Sequence, residues 1–145
     1  ADGVFIACAS VYGNTKNDAL KLKEILESKG VKVAFSDLTR DDVAEAVEDA
    51  FKYGTTVLAA SSYDGGVFPP MEAFLSHLKS KAFQNRKIGI IENGSWAPCA
   101  ARAMKAVLES LKNITVCENT VTVKSAFKES DVPTLEKLAD ELLQN

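Results

Sequence analysis

The sequence has no long apolar run, no strong excess of charge of either sign, and only one histidine and one tryptophan. None of its apolar runs approaches the roughly 20 residues that a membrane-spanning helix needs. Its formal net charge of −3 provides no basic surface of the kind that nucleic-acid-binding proteins carry. We therefore expect neither a membrane nor a nucleic acid among its partners.

Cysteine is also scarce: the sequence has only Cys8, Cys99 and Cys117. They are spaced too widely for a CxxC motif, and an odd number does not suit a disulfide framework. The apolar surroundings of Cys8 and Cys117 predict buried, reduced side chains. The first residues show no signal-peptide pattern, so we expect a cytoplasmic location. The start at Ala1 instead of methionine leaves open either a processed protein or an excised domain.

The composition, 46% hydrophobic and 26% charged over 145 residues, predicts a single domain over residues 1–145. Five short apolar runs alternate with five helix-like stretches. The runs are Val4 to Ala9, Val31 to Phe35, Thr56 to Ser61, Lys87 to Glu92, and Ile114 to Val123, the last interrupted near Glu118 and Asn119. This alternation predicts an α/β three-layer sandwich with a five-stranded parallel sheet of order 2-1-3-4-5.

The helices are predicted from apolar residues that repeat at i, i+3, i+4 and i+7. These sets are Val43, Ala46, Val47 and Ala50; Met71, Phe74, Leu75 and Leu78; Met104, Val107, Leu108 and Leu111; and Leu135, Leu138, Ala139 and Leu142. The first helix has a looser apolar face of Ala19, Leu22, Ile25 and Leu26, and Gly30 ends it. We expect all of these side chains to form the core.

The predicted strand order places a ligand crevice at the carboxyl ends of strands 1 and 3, so the loops that follow the strands carry the chemistry. The first loop reads Ser10-Val11-Tyr12-Gly13-Asn14-Thr15. Hydroxyls, an amide and a flexible glycine at a helix N-terminus favour a phosphate. The loop matches neither GxGxxG nor a P-loop, which favours a monophosphate over a dinucleotide or nucleoside triphosphate. An ordinary helix cap is the alternative.

The second loop contains Ser62, Tyr63, Asp64 and Gly65, and the chain continues to Phe68. Tyr63 can stack on a planar ring, and the Gly65 peptide can rotate so that its carbonyl meets a protonated ring nitrogen. The alternative is an ordinary turn, and for Phe68 itself we expect packing beneath that turn.

The third loop follows strand 4 and contains Asn93, Gly94, Ser95, Trp96 and Ala97. Its tryptophan can cover the other face of a planar ligand, and its backbone can bind a pyrimidine edge. A lone tryptophan is more often partly buried packing. Three loops that each carry suitable chemistry, at one edge of a sheet, favour the ligand site.

The motifs in these loops resemble those of flavodoxins, and most of all the flavodoxin-like C-terminal domain of flavodiiron proteins (A-type flavoproteins). The family pattern S-x-Y-G-N-T is matched from Ser10 to Thr15, and Y-N-G-G-x-F-P-P is matched from Tyr63 to Pro70, with Asp64 in place of asparagine. The third pattern, G-S-x-G-W, is shortened here to Gly94-Ser95-Trp96, and the resemblance covers nearly the whole chain.

The resemblance implies a flavodoxin-like fold and one FMN, with its phosphate on Ser10 to Thr15 and its ring between Tyr63 and Trp96. It implies an electron-transfer flavoprotein, or the electron-transfer domain of a flavodiiron-type oxidoreductase, without catalytic side chains. The implied partners are redox proteins: a reductase, a rubredoxin-like protein or a di-iron domain. Charges on Asp64 and Glu92 that face the ring would disfavour its anionic reduced form.

The single histidine, His77, cannot supply the several histidines of a di-iron site, so we expect no metal site and a surface or boundary position for this residue. Two other functions stay open. An NAD(P)H-dependent FMN quinone reductase is one, and a flavin-free interaction domain on the same fold is another. A receiver-like signalling module is disfavoured because Ala59-Ala60-Ser61 has no phospho-acceptor aspartate.

Overall fold

The computed structural model describes residues 3–10, 14–63, 66–93, 100–123 and 128–144. It describes only the backbone of four of these residues: Asn14, Ser62, Tyr63 and Gly66.

One sheet contains every strand of the described residues. They are β1 (Val4–Ala9), β2 (Val33–Asp37), β3 (Thr55–Tyr63), β4 (Gly66–Val67), β5 (Arg86–Asn93), β6 (Ile114–Val116) and β7 (Val121–Val123). The parallel strands run in the order β2-β1-β3-β5-β6, and β4 pairs antiparallel with β3. Both β6 and β7 pair parallel with β5, so they are two halves of one interrupted strand. The predicted order 2-1-3-4-5 and the predicted break in strand 5 are confirmed.

Five α-helices cover the two faces of this sheet in the described part of the chain. They are α1 (Asn14–Ser28), α2 (Val43–Lys52), α3 (Pro69–Ser80), α4 (Ala100–Glu109) and α5 (Val132–Leu142), with a 3₁₀-helix at residues 129–131 before α5. Local signals mark several ends. The Asp42 carboxylate accepts a hydrogen bond from the Ala44 N–H at the start of α2. Gly30, with φ of +82°, follows the end of α1 in the left-handed region that glycine tolerates.

Side-chain alternation along the strands divides the core into two layers. On one face, residues such as Phe5, Leu58 and Ile90 pack with α2, α3 and α4. On the other face, residues such as Ile6 and Val57 pack with α1 and α5. The apolar helix faces predicted from spacing are confirmed as core, although Val43, Val107 and Leu111 are only partly buried.

Helix α5 packs closely against the sheet at Gly89, in the middle of β5. A Cβ at this position would lie 3.0 Å from Leu142 Cδ2 and 3.1 Å from Leu138 Cδ1. Gly89 therefore serves packing, because a side chain here has to displace two leucines of α5.

The structure also tests the predictions for the cysteines and for His77. Cys8 and Cys117 are buried and free, as predicted. Burial is the main cause that raises the pKa of Cys8 to about 12 and that of Cys117 to about 11. His77 is exposed on α3, as predicted. No helix among the described residues is long and apolar enough to cross a membrane.

Candidate functional site

Three loops leave the sheet at the same edge. Strands β1, β3 and β5 are neighbours and parallel, so their carboxyl ends lie side by side. The register places Ala9 beside Ala60, and Ser61 beside Asn93. The three loops of interest thus begin at adjacent points, as the predicted strand order requires.

The first of these loops ends in a helix N-terminus held by hydroxyl groups. The Thr15 N–H donates to Ser10 Oγ over 3.0 Å. The Thr15 hydroxyl is hydrogen-bonded to the Ser61 hydroxyl, with 3.0 Å between Oγ1 and Oγ, and this contact is buried. The first turn of α1 contains no acidic residue. Helix N–H groups and hydroxyls without a nearby first-turn carboxylate suit an anion such as a phosphate monoester.

The lysine of this turn is engaged elsewhere. Lys16 Nζ lies 3.1 Å from Asp37 Oδ2, at the end of β2. Burial raises the pKa of Asp37, but hydrogen bonds from Thr39 and Lys16 outweigh it and hold this pKa below its usual value. The ion pair fastens α1 to β2, so an anion at the helix N-terminus depends mainly on N–H groups and hydroxyls.

The second loop is closed as a narrow hairpin. Ser62 pairs with Val67 and Tyr63 with Gly66, and the Phe68 N–H donates to the Ser61 carbonyl over 3.0 Å. Phe68 is half-buried and packs against the core, as predicted. These contacts fix both ends of the loop that contains Asp64 and Gly65.

The third loop spans from Asn93, which is buried at the end of β5, to Ala100 at the start of α4. Glu92 fastens this junction, because its Oε1 accepts from the Ala101 N–H over 3.0 Å and its Oε2 accepts from the Thr122 hydroxyl over 2.7 Å. Glu92 is therefore directed to the start of α4 and to β7.

A buried carboxylate, Asp18, lies in α1, three residues after Thr15. It is fully buried in α1, and neither of its oxygens has a hydrogen-bond partner among the described residues. Burial, with a further contribution from the charge of Asp131, raises the pKa of Asp18 from 3.8 to about 7. The group is thus largely protonated below neutral pH.

The predicted site residues fall into three groups. Ser10, Thr15 and Asn93 are described with their side chains and lie at the carboxyl edge of the sheet. Asn14, Ser62 and Tyr63 are placed there by their backbone. The others lie outside the described residues: Val11, Tyr12, Gly13, Asp64, Gly65, Gly94, Ser95, Trp96 and Ala97.

Sequence reasoning missed the roles of Ser61 and Asp18. Ser61 has the same parity along β3 as Val57 and Ala59, which places it on the face that α1 covers. Asp18 lies four residues before Leu22 and seven before Ile25, a spacing that puts a carboxylate on the apolar face of α1. Both signals were present in the sequence.

The described residues contain no group of three or more histidine, cysteine, aspartate or glutamate side chains that could hold a metal ion.

By sequence, the chain matches no family model and no curated protein. By structure, it is similar to rubredoxin oxygen:oxidoreductase of the anaerobe Desulfovibrio gigas, with a TM-score of 0.91, 18% identity and coverage of 98% of this chain and 35% of that one. It is also similar to the flavodiiron protein of Giardia intestinalis, with a TM-score of 0.88, 19% identity and coverage of 97% and 35%. Oxidised flavodoxin 1 of Bacillus cereus matches with a TM-score of 0.82, 18% identity and coverage of 97% of both chains.

These similarities confirm the flavodoxin-like fold, and with it the fold that the three loop motifs implied. The chain spans about a third of the length of the two larger oxidoreductase structures. It spans nearly the full length of the flavodoxin.

Proposed function

We propose that this chain binds one FMN non-covalently at the carboxyl edge of its sheet and passes electrons through it. The observation that carries the proposal is the convergence of three loop motifs on adjacent strand ends, where Ser10, Thr15 and Asn93 lie. The structural similarity to flavodoxin and to flavodiiron proteins supports the same function.

The described residues suit the phosphate end of FMN. The N-terminus of α1 offers N–H groups, Ser10 and Thr15 offer hydroxyls, and the first turn has no carboxylate to repel an anion. Bound FMN supplies the redox chemistry, and the protein binds and orients it. We propose that Val11, Tyr12, Gly13 and Asn14 complete the phosphate loop.

The ring end of the site belongs to the second and third loops. We propose that Ser62, Tyr63, Asp64 and Gly65 flank one side of the ring. The hairpin contacts of Ser61 and Phe68, and the bonds of Glu92 to Ala101 and Thr122, hold the ends of these two loops. Fixed loop ends reduce the ordering cost of binding a planar ligand. We propose that Asn93, Gly94, Ser95, Trp96 and Ala97 cover the other side.

The single tryptophan gives a probe of this arrangement, because all tryptophan emission comes from Trp96. We expect added FMN to quench this emission to saturation at one equivalent. The quenching should weaken in Tyr63→Ala and stay intact in Phe51→Ala, which removes an exposed aromatic from α2. If FMN quenches the protein no more than it quenches free tryptophan in solution, the ring site is contradicted.

The physiological partner is, in this proposal, another redox protein or domain, such as a reductase, a rubredoxin-like protein or a di-iron domain. An anaerobic test distinguishes a carrier from an enzyme. The FMN-loaded protein should accept electrons from dithionite and pass them to a one-electron protein acceptor such as cytochrome c. Rapid reduction by NADH without any reductase would instead identify a quinone-reductase type of enzyme, and a protein that ignores FMN would identify an interaction domain.

A further inference from the structure

A fully buried carboxyl group lies one turn inside the helix whose N-terminus forms the proposed phosphate site. Asp18 belongs to α1, which begins at Asn14. A rise of about 1.5 Å for each helical residue places the Asp18 Cα about 6 Å along the helix axis from the Asn14 Cα. The Cα–Cβ bonds of a helix tilt toward its N-terminus, so the side chain of Asp18 leans toward the end of α1 that would hold an anion.

The surroundings of Asp18 do not compensate a charge. Neither of its oxygens has a hydrogen-bond partner among the described residues. Apart from the thiol of Cys8, the side chains that share this layer of the core are apolar: Ile6, Val57, Ile91 and Val121 of the strands, and Leu135, Leu138 and Ala139 of α5. Coulomb interactions are stronger where water is excluded, so a charge on Asp18 acts over a longer distance than a surface charge does.

The ionisable groups around Asp18 among the described residues do not neutralise it. Asp131, just before α5, repels its charge, and this repulsion adds to burial in raising the pKa of Asp18 to about 7. The thiol of Cys8, on β1, is kept neutral by a pKa of about 12. The lysines that precede and follow Asp18 on α1 are paired with other carboxylates: Lys16 with Asp37, and Lys21 with Glu24.

We propose that the charge of Asp18 sets how strongly this site prefers a phosphorylated flavin. As a neutral acid, Asp18 leaves the N–H groups and hydroxyls at the start of α1 to attract the phosphate. As a carboxylate, it repels the phosphate from inside the same helix. The inference rests on the proposed FMN site and makes the preference for FMN over riboflavin fall as the pH rises through neutrality. Because linkage is reciprocal, a bound phosphate also favours the protonated form of Asp18.

The test is the ratio of the Kd of riboflavin to the Kd of FMN, measured from pH 5.5 to pH 9. Riboflavin has the same ring and no phosphate, so this ratio isolates the phosphate. At pH 5.5 we expect the same ratio in the wild type and in Asp18→Asn. At pH 9 the ratio should be about 10-fold higher in Asp18→Asn, the effect of two unit charges about 8 Å apart at an effective dielectric constant of about 30. The titration of the phosphate itself is common to both proteins and cancels in this comparison.

Proton uptake gives a second readout. If a bound phosphate shifts the titration of Asp18 by the same 10-fold factor, the wild type takes up about 0.5 proton at pH 7.5 more than Asp18→Asn does when FMN binds. Calorimetry in buffers of different ionisation enthalpy measures this difference, which riboflavin should not produce. Asp131→Asn keeps an acceptor for the Lys128 N–H and removes the repulsion. It should therefore move the fall in FMN preference to lower pH.

Glu24→Gln is the matched control, because it removes an exposed negative charge from the same helix. It should leave the ratio unchanged, since solvent and salt screen an exposed charge, and circular dichroism with urea unfolding checks that each variant is folded. The same pH dependence of the ratio in the wild type and in Asp18→Asn would overturn the inference. So would equal changes in the affinities for FMN and riboflavin, because Asp18 would then act on the ring loops. Failure of the wild type to bind FMN at any pH would instead refute the proposed function.

Discussion

Replacement of the buried carboxylate of Asp18 should make the stability of this protein much less dependent on pH. Asp18 is fully buried, has no hydrogen-bond partner among the described residues and feels the charge of Asp131. Its pKa rises from 3.8 in the unfolded chain to about 7 in the folded protein. At about 1.36 kcal/mol for each pKa unit, the charged form costs the folded state up to about 4 kcal/mol.

The sign of the pH dependence of stability follows from the number of protons that each state binds. Between pH 4 and pH 7, roughly, the unfolded chain has lost its Asp18 proton and the folded protein keeps it. The folded state then binds more protons, so the free energy of unfolding falls as the pH rises through this range. Above about pH 7 both states are ionised and the full penalty remains. A loss of this size is a large part of the 5–15 kcal/mol that is typical of folded domains.

Urea unfolding of the wild type and of Asp18→Asn, from pH 4.5 to pH 8.5, measures this effect. We expect the two proteins to differ least at the acidic end, where both side chains are neutral in the folded state and most of the pH-dependent loss has not yet occurred. Asp18→Asn should be more stable by about 2–4 kcal/mol at the alkaline end. Asp37 and Glu141, whose pKa values are lowered, also make stability depend on pH. Their contributions are the same in both proteins, so they cancel when the two free energies of unfolding are subtracted.

Glu136→Gln, which neutralises an exposed carboxylate of α5, is the matched control for the loss of one negative charge. A pH-independent difference for Asp18→Asn would refute the reasoning. So would an NMR titration of the Asp18 carboxyl with a midpoint near 4.

Three further predictions concern the packing and the loop junctions. Gly89→Ala should lower the free energy of unfolding by about 1 kcal/mol, because the new methyl group displaces two leucines of α5. An unchanged urea midpoint would show that these leucines make room for the methyl group at no cost in stability. Cys8 should not react with a thiol reagent at pH 8 in the native protein, since its pKa is about 12. In a Cys99→Ser background, both remaining thiols should react with the reagent once urea has unfolded the protein. Fast reaction in the native protein would contradict their burial. Glu92→Gln should cost about 1–2 kcal/mol in urea unfolding, because a charge-assisted bond to the N-terminus of α4 becomes a neutral one; equal stability would show that the charge is not used there.

The strands that could be predicted from the sequence are those buried on both faces. Val4–Ala9 was predicted with its observed bounds, because every side chain of β1 is buried and the apolar run is continuous. The strand predicted from Val31 is observed at Val33–Asp37. Its side chains are mostly half-buried, so pairing with β1 sets its bounds more than its own pattern does.

Short elements and side-chain directions were harder to predict. Strand β4 has two residues and is formed by pairing across a hairpin, which no periodicity can reveal. The loop motifs left the direction of the Glu92 carboxylate open, although the parity of Glu92 with Ile88 and Ile90 places it on the face that α4 covers. The loop motifs indicate where a ligand site would lie, and that position stays a prediction. The parity of Ser61 gives the face of the sheet on which it lies, but its bond to Thr15 depends on the way in which α1 and β3 approach each other.

The central claim is that the chain binds FMN, and an absorption titration of the protein with FMN tests it most directly. The account predicts flavin bands that are shifted and structured relative to free FMN, and that saturate at one FMN per chain. Flavin bands that stay identical to those of free FMN, with all flavin passing a desalting filter, would contradict the account.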